Sequence, residues 1–279
     1  MDSWFNRIQQ FTGKENISFY ENIIRKRGLA VLLIQFGGLA LAFAGNVLLA
    51  RLYGEHVYGI YSLVTSWCTF LAVLGLFGMD DSHLVKLPTW RLRGEIKKIS
   101  QQLKWSLSIN SITIPAVFLI FYLILHFINL PRLSRYSYYF NFGSLLVLFL
   151  VIMNNLLSFL RGMDKVVFGE IIDKISRPLF LILFLLLFYY LWKVDLVLDT
   201  ILASSAGLFC IILLLSVKIK KTIRQTRRMS AGPKNSFSLG PNFRYVLLNL
   251  LYFLSTRMDL LLLGLFANAV LVGHYNVAL

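Results

Sequence analysis

Long apolar segments alternate with short polar segments along almost the whole chain. Each apolar segment covers about 20 residues, the length at which an α-helix crosses the hydrocarbon core of a bilayer. The pattern predicts seven membrane-spanning helices at residues 28–50, 57–78, 103–127, 140–160, 171–192, 196–217 and 243–266, and the start of an eighth from Val270. We therefore expect an all-α integral membrane protein, a helical bundle of about seven to eight transmembrane helices.

The composition supports this prediction. Of the 279 residues, 57% are hydrophobic and 15% are charged, whereas soluble domains carry about 25% charged residues. A soluble protein of this size could not keep so much apolar surface away from water, but a lipid bilayer can hold it. The composition thus excludes an ordinary soluble domain.

The basic residues indicate the orientation in the membrane. Of the 28 Lys and Arg residues, 23 fall on one side of the predicted bundle and four on the other, while Arg257 lies inside the seventh span. Cytoplasmic loops carry the excess of Lys and Arg in membrane proteins. We predict a multi-pass protein of the cytoplasmic (inner) membrane with its amino terminus in the cytoplasm. The net charge of +15 is spread over several loops, so it does not indicate a nucleic-acid partner.

The same pattern divides the chain into four parts. Residues 1–27 are predicted to form a cytoplasmic arm, in which Trp4, Ile8 and Phe11 have the spacing of an amphipathic helix, although a solvated arm fits equally well. Residues 28–217 form a six-helix lobe. Residues 218–242 are basic, contain Gly and Pro, and are predicted to be a cytoplasmic linker. Residues 243–279 begin a second lobe.

Two segments of the chain resemble each other. Residues 48–61 align without a gap with residues 262–275 at an offset of 214, and four of the 14 positions are identical. In apolar sequence this similarity could arise by chance. Because six spans separate the copies, however, they share one orientation, as in a parallel repeat whose axis runs along the membrane normal. The repeat predicts a two-lobe protein of about 430 residues, so we expect this chain to be truncated after its first lobe.

Several motifs resemble those of a known family. Residues 49–63, Leu-Ala-Arg-Leu-Tyr-Gly-Glu-His-Val-Tyr-Gly-Ile-Tyr-Ser-Leu, are similar to the first-loop signature of the polysaccharide-transporter, or oligosaccharide flippase, family of the multidrug/oligosaccharidyl-lipid/polysaccharide exporter superfamily. Residues 160–162 (Leu-Arg-Gly), 257–264 (Arg-Met-Asp-Leu-Leu-Leu-Leu-Gly) and 272–278 (Val-Gly-His-Tyr-Asn-Val-Ala) are also similar to the family. The resemblance extends over nearly the whole chain from Gly28.

This resemblance implies a fold and a function. The fold would be two lobes with twelve to fourteen helices around a central cavity. The function would be movement of a polyprenyl-pyrophosphate-linked oligosaccharide from the cytoplasmic to the outer leaflet by alternating access, for the synthesis of a cell-surface polysaccharide such as a capsule or lipopolysaccharide. Its partners would be this lipid-linked sugar and the bilayer, with a polysaccharide polymerase and glycosyltransferases as further candidates. A coupling cation, Na⁺ or H⁺, is left open, and no other cofactor is implied.

Charges inside the spans are the best candidates for a binding site. A charge at the bilayer centre costs about 2.5–3.5 kcal/mol on insertion scales and is usually functional. Arg257 and Asp259 both lie inside the seventh span, about 200° apart around the helix. One arrangement directs Arg257 into the cavity, where it binds the pyrophosphate, and Asp259 towards a neighbouring helix; the alternative is an ion pair that fixes helix packing. Asn46 and Asn249 are further candidates for the cavity wall.

Other charges lie at the predicted ends of spans. Asp80 and Asp81 follow the second span and Arg161 ends the fourth, all on the predicted cytoplasmic side. They are candidates for a cytoplasmic gate, or are ordinary interfacial charges. Arg51 ends the first span on the opposite side, where it either guards the outer mouth or extends to the lipid headgroups.

The sequence contains no recognisable catalytic or metal-binding motif, and we expect a protein that is not an enzyme. Three alternatives to a flippase lobe remain. A cation-coupled multidrug exporter of the same superfamily would need acidic residues in its cavity, whereas Asp259 is the only acid deep in a predicted span. A membrane enzyme would need a larger exposed catalytic loop, and a lobe that does not itself transport is also compatible with the length.

Overall fold

The computed structural model of the chain describes residues 14–127, 136–191, 196–227, 240–267 and 269–278. Within these ranges every regular element is a helix. The elements are α1 (Lys14–Tyr53), α2 (Glu55–Leu76), α3 (Met79–Leu92), α4 (Ile96–Phe127), α5 (Ser137–Gly162), α6 (Val166–Glu170), a π-helical turn (Ile171–Ser176), α7 (Arg177–Leu191), α8 (Leu196–Arg227), α9 (Gly240–Phe266) and α10 (Ala269–Ala278).

Six of the described helices are long and apolar enough to cross a membrane: α1, α2, α4, α5, α8 and α9. They coincide with six of the seven predicted spans, so the prediction of an all-α, multi-pass membrane bundle is confirmed. The remaining predicted span, 171–192, is made of the π-turn and α7, which follow α6 without a gap. Its uninterrupted α-helical part, α7, has 15 residues.

Proline explains why this span is divided. Pro178 has no backbone N–H, so it cannot donate to the carbonyl of Lys174 four residues earlier, as an α-helix requires. The backbone widens instead, and the N–H of Arg177 donates to the carbonyl of Ile172, five residues back. Such π-turns are often found at functional sites.

Three boundaries differ from the sequence prediction. Helix α3 was not predicted; it is too polar for a span, but its apolar residues Met79 and Leu87 are fully buried. Helix α8 continues through Arg227 into the predicted linker, because Ile219 and Thr222 still pack against the bundle. Helix α1 begins at Lys14, within the predicted arm. The predicted amphipathic segment around Trp4 lies outside the described residues.

Helix α5 occupies the middle of the bundle, where it packs against α2, α3 and α8. Small residues allow these close contacts. A Cβ on Gly143 would lie 2.9 Å from the sulfur of Cys68 in α2, and a Cβ on Gly162 would lie 2.7 Å from the carbonyl oxygen of His83 in α3. Helix α1 is peripheral, and six of its large apolar side chains are exposed: Leu29, Leu32, Leu33, Phe36, Leu39 and Phe43.

The two copies of the repeat contact each other at equivalent positions. Gly59 in α2 and Gly273 in α10 are 214 residues apart, and a Cβ on Gly273 would lie 3.1 Å from the Cα of Gly59. Three residues further on, the amide of Asn276 donates to the hydroxyl of Ser62, also 214 residues apart, at 3.1 Å. Contacts between equivalent residues occur where a two-fold axis passes between two copies. The two contacts lie three residues apart on both α2 and α10, as expected when these helices run parallel beside such an axis.

Candidate functional site

A polar cavity of about 410 Å³ lies inside the bundle. It is lined by residues of α1, α2, α5, α7, α8, α9 and α10, so every one of these helices contributes to its wall. We call it the central cavity. A second space of about 770 Å³, here called the side groove, runs between α1 and the π-turn with α7. Five residues line both spaces, which are therefore continuous: Ala42, Asn46, Arg177, Leu181 and Arg257.

Arg257 faces this space. The residue lines both the central cavity and the side groove, and its guanidinium donates to the side-chain oxygen of Asn276 at 3.4 Å. Asp259 points elsewhere, because two residues rotate an α-helix by about 200°. Its carboxylate accepts hydrogen bonds from the hydroxyl of Tyr275 in α10 and from the N–H of Leu260. The structure thus has the arrangement in which only the arginine of the pair enters the cavity.

A second arginine lines the same two spaces. It is Arg177, the first residue of α7, which was not among the sequence candidates for the binding site. Its place in the wall depends on the π-turn, which the hydrophobic pattern does not show. The only sequence signal was Pro178, which follows Arg177 and prevents a regular α-helix here.

An acidic residue accompanies Arg177 in the side groove. One oxygen of the Asp173 carboxylate lies 3.0 Å from the guanidinium of Arg161 and 3.4 Å from the ammonium of Lys174. Its other oxygen lies 3.9 Å from the guanidinium of Arg177, four residues further along the chain. The carboxylate of Glu170 also contacts Arg161, at 3.0 Å.

Hydroxyl groups cover the opposite wall of the central cavity. Tyr61, Thr65 and Thr69 lie four residues apart on one face of α2 and line it together. The hydroxyl of Tyr61 also shares a hydrogen bond of 2.8 Å with that of Ser204 in α8. The sequence analysis did not select these residues, because Ser and Thr in a span usually bond to their own helix. The cavity therefore joins a cationic wall to a wall rich in hydroxyl groups.

The two asparagine candidates have different surroundings. Asn46 lines the central cavity and the side groove. Asn249 is not among the residues lining either space; its amide nitrogen lies 3.4 Å from both carboxylate oxygens of Asp80. Burial, with a further effect of the neighbouring Asp81 carboxylate, raises the pKa of Asp80 to about 6. Asn249 thus belongs with the predicted gate residues and joins α9 to α3.

The structure does not bring the other gate candidates together. Arg161 is bound to Glu170 and Asp173, so it connects α5 to α6 and the π-turn, whereas Asp80 and Asp81 begin α3 beside α9. Arg51 is exposed in the last turn of α1, at the other end of the bundle. The candidates form two separate groups of charges rather than one gate.

Comparison with known proteins identifies the family. A family model described as polysaccharide biosynthesis protein matches residues 24–279. No curated protein and no solved structure matches the chain at a significant level. The matched region contains all the helices from the apolar part of α1 to α10 and both arginines of the cavity. The chain belongs to the polysaccharide biosynthesis protein family.

Proposed function

We propose that the chain is the first lobe, with the start of the second, of an exporter that moves a polyprenyl-pyrophosphate-linked oligosaccharide across the membrane by alternating access. The observation that carries this proposal is the convergence of Arg177 and Arg257 on one polar cavity within a membrane bundle. Membership of a polysaccharide biosynthesis family supports a glycan as cargo and transport rather than catalysis.

The two arginines suit a diphosphate. A guanidinium binds phosphate through two parallel N–H···O bonds and keeps its charge at any physiological pH. Charges inside the membrane are costly and are kept where they face a cavity or a partner. Arg257 has only a neutral amide, that of Asn276, as its described hydrogen-bond partner at 3.4 Å. Its full charge is therefore available to an anion.

The remaining surfaces suit the other parts of the substrate. The hydroxyl-bearing face of α2, with Tyr61, Thr65 and Thr69, could hydrogen-bond to sugar hydroxyls. The side groove has apolar residues of α1, including Leu32, Phe36 and Leu39, along its wall. These side chains are exposed at the surface of the bundle, which would allow a polyprenyl chain to remain in contact with lipid.

The excess of basic residues supports an orientation in which the end of the bundle that carries α3 and the start of α9 faces the cytoplasm. In this orientation α9 and α10 begin a second lobe that completes the cavity wall. The proposal leaves open whether a cation, Na⁺ or H⁺, is coupled to transport. A multidrug exporter for organic cations is less well supported, because Asp259 points to Tyr275 and Asp173 is surrounded by three cations.

Substitution of Arg257 in the full-length protein tests the proposal. Arg257→Ala should abolish export of the surface glycan, and Arg257→Lys should impair it, because Lys keeps the charge but loses the planar donor pair. Export is measured as surface glycan per unit of folded protein in the membrane. Arg244→Ala provides the control, since Arg244 is exposed in the first turns of the same helix and is not among the residues lining either space.

Two results would contradict the proposal. Unchanged export per molecule in Arg257→Ala would remove this residue from the mechanism. Alternatively, a loss of protein abundance in proportion to the loss of export would show that Arg257 only holds helices together through its contact with Asn276.

A further inference from the structure

We propose that Asp173 is a resident counter-ion, which holds Lys174 and Arg177 at the wall of the side groove until a phosphate group of the substrate takes its place. This inference rests on the proposed function, since it assumes that the cavity binds a phosphorylated lipid. It assigns a role to an acid that the sequence analysis did not select and adds two cations to the proposed site.

The contacts of Asp173 divide its three cations into two kinds. Arg161 is bound by two carboxylates, those of Asp173 and Glu170, each at 3.0 Å. Lys174 and Arg177 have Asp173 as their only ion-pair partner among the described residues, at 3.4 and 3.9 Å. The distance of 3.9 Å is at the outer limit of an ion pair, so Arg177 is held weakly.

Exposure follows the same division. The side chains of Asp173, Glu170 and Arg161 are 16%, 12% and 25% exposed, whereas those of Lys174 and Arg177 are 44% and 43% exposed. Asp173, Lys174 and Arg177 all line the side groove. The carboxylates and Arg161 therefore form a fixed base, and the two other cations lie over it with access to the groove.

The backbone around the acid is fixed as well. A Cβ on Gly38 would lie 2.6 Å from both the Cβ and the carbonyl oxygen of Lys174. The π-turn thus packs directly on the backbone of α1, at a position where only glycine fits. Because the acid and the backbone are held, an incoming anion can displace only the side chains of Lys174 and Arg177.

With such a counter-ion, binding of a phosphate exchanges one ion-pair partner of Lys174 and Arg177 for another. The five charged groups, Arg161, Lys174, Arg177, Glu170 and Asp173, carry one net positive charge, so an empty cavity does not hold three uncompensated cations. A phosphate must compete with Asp173 for Lys174 and Arg177, which lowers its affinity. The same competition speeds its release, because Asp173 recaptures both side chains.

The test measures binding of inorganic pyrophosphate to the purified full chain in a non-ionic detergent by calorimetry. Asp173→Asn removes the competing charge at nearly constant shape and should lower the Kd about fivefold, the equivalent of one exposed ion pair of about 1 kcal/mol. Asp173→Glu restores the charge and should return the Kd towards that of the wild type. Glu170→Gln is the matched control, because Arg161 is the one ion-pair partner of Glu170 in the described part of the chain; it should change the Kd less than Asp173→Asn.

Export should change in the opposite direction. In cells, Asp173→Asn should reduce surface glycan per unit of folded protein, because tighter binding slows release. A residue that only stabilised the fold would not tighten binding when neutralised. If Asp173→Asn does not fold, Lys174→Gln and Arg177→Gln provide the second measurement, and each should raise the Kd for pyrophosphate.

The outcomes separate this inference from the proposed function. If the wild type binds pyrophosphate and Arg257→Ala weakens binding, but Asp173→Asn leaves the Kd unchanged or raises it, the counter-ion role is wrong and the proposed function stands. If the wild type does not bind pyrophosphate, both are contradicted. If added phosphatidylglycerol competes fully with pyrophosphate at Lys174 and Arg177, the groove is a site for bilayer headgroups and the counter-ion proposal is again wrong.

Discussion

Helices α9 and α10 contact the preceding helices near both ends of the bundle, and the two contacts differ in their chemistry. At one end, Gly273 packs on Gly59 and Asn276 bonds to Ser62. These glycine and neutral polar contacts join equivalent positions of the repeat, and beside them the imidazole of His274 lies 3.1 Å from the carboxylate of Glu55. We call the glycine and neutral polar contacts together the neutral contact.

At the other end, the amide of Asn242 donates to the sulfur of Met79 at 3.3 Å, and Asn249 approaches the carboxylate of Asp80. A Cβ on Gly78 would lie 2.6 Å from the carbonyl oxygen of Asn242. We call this the acidic contact; it joins positions that the repeat does not relate. Both contacts depend on a glycine, but the acidic contact contains a carboxyl group, that of Asp80, whose pKa burial raises to about 6.

The largest loss of folding stability is expected from a substitution at the neutral contact. Gly273→Leu places a side chain against the backbone of Gly59, at 3.1 Å for the first atom alone, and neither backbone can move aside without separating the helices. We expect a loss of about 3 kcal/mol or more, the upper range for overpacking, seen as a large fall in folded protein in the membrane.

Gly37→Leu is the matched control for that prediction. Gly37 is exposed on α1 with no atom within 4 Å of its ideal Cβ position, so the same substitution there should leave abundance near the wild-type level. Equal abundance of the Gly273→Leu and Gly37→Leu proteins would show that the neutral contact does not hold the helices together.

A smaller effect is expected at Gly78. Its φ of +66° is in the left-handed region, which costs a non-glycine residue about 1–2 kcal/mol, and the close approach of Asn242 adds to that strain. Gly94→Ala measures the cost of the left-handed backbone alone, because Gly94 has a φ of +70° but open space around its Cβ position. The difference between Gly78→Ala and Gly94→Ala therefore isolates the cost of the close approach of Asn242. We expect Gly78→Ala to lower the thermal midpoint in detergent more than Gly94→Ala. A midpoint that falls equally in both would leave the acidic contact without a packing role.

The sequence predicted the spans well because hydrophobic length alone determines them. It also separated the directions of Arg257 and Asp259, since helical geometry rotates residues i and i+2 apart. The offset of 214 between the copies appears again in the contact of Gly59 with Gly273. These features depend on local sequence or on its regular repetition, both of which can be seen without coordinates.

The missed features depend on contacts between distant segments. Arg177 lines the cavity because Pro178 widens the preceding backbone into a π-turn. The π-turn itself fits because Gly38 of α1 leaves room for the backbone of Lys174. Asn249 was expected in the cavity wall, but its neighbour is Asp80, 169 residues away along the chain. Hydrophobic periodicity contains no information about such pairings.

The smallest effect that we expect is a pH dependence of the stability, which arises from Asp80 at the acidic contact. The pKa of Asp80 is raised from 3.8 to about 6, so the folded protein binds this proton more tightly than the unfolded chain does. Protonation therefore stabilises the fold: the stabilisation is present at low pH and is lost as the pH rises through about 6. Burial also raises the pKa of Asp81, which acts in the same direction.

We expect the wild-type protein in detergent to be more stable at pH 5 than at pH 7.5 by an amount on the order of 1 kcal/mol from Asp80. Asp80→Asn resembles the protonated form and can still bond to Asn249, so it should raise the thermal midpoint at pH 7.5 and reduce the difference between the two pH values. Asp164→Asn is the control, because Asp164 is an exposed acid paired with Arg27 and Arg91; it should leave that difference unchanged. If Asp80→Asn keeps the full pH dependence of the wild type, the acidic contact does not titrate.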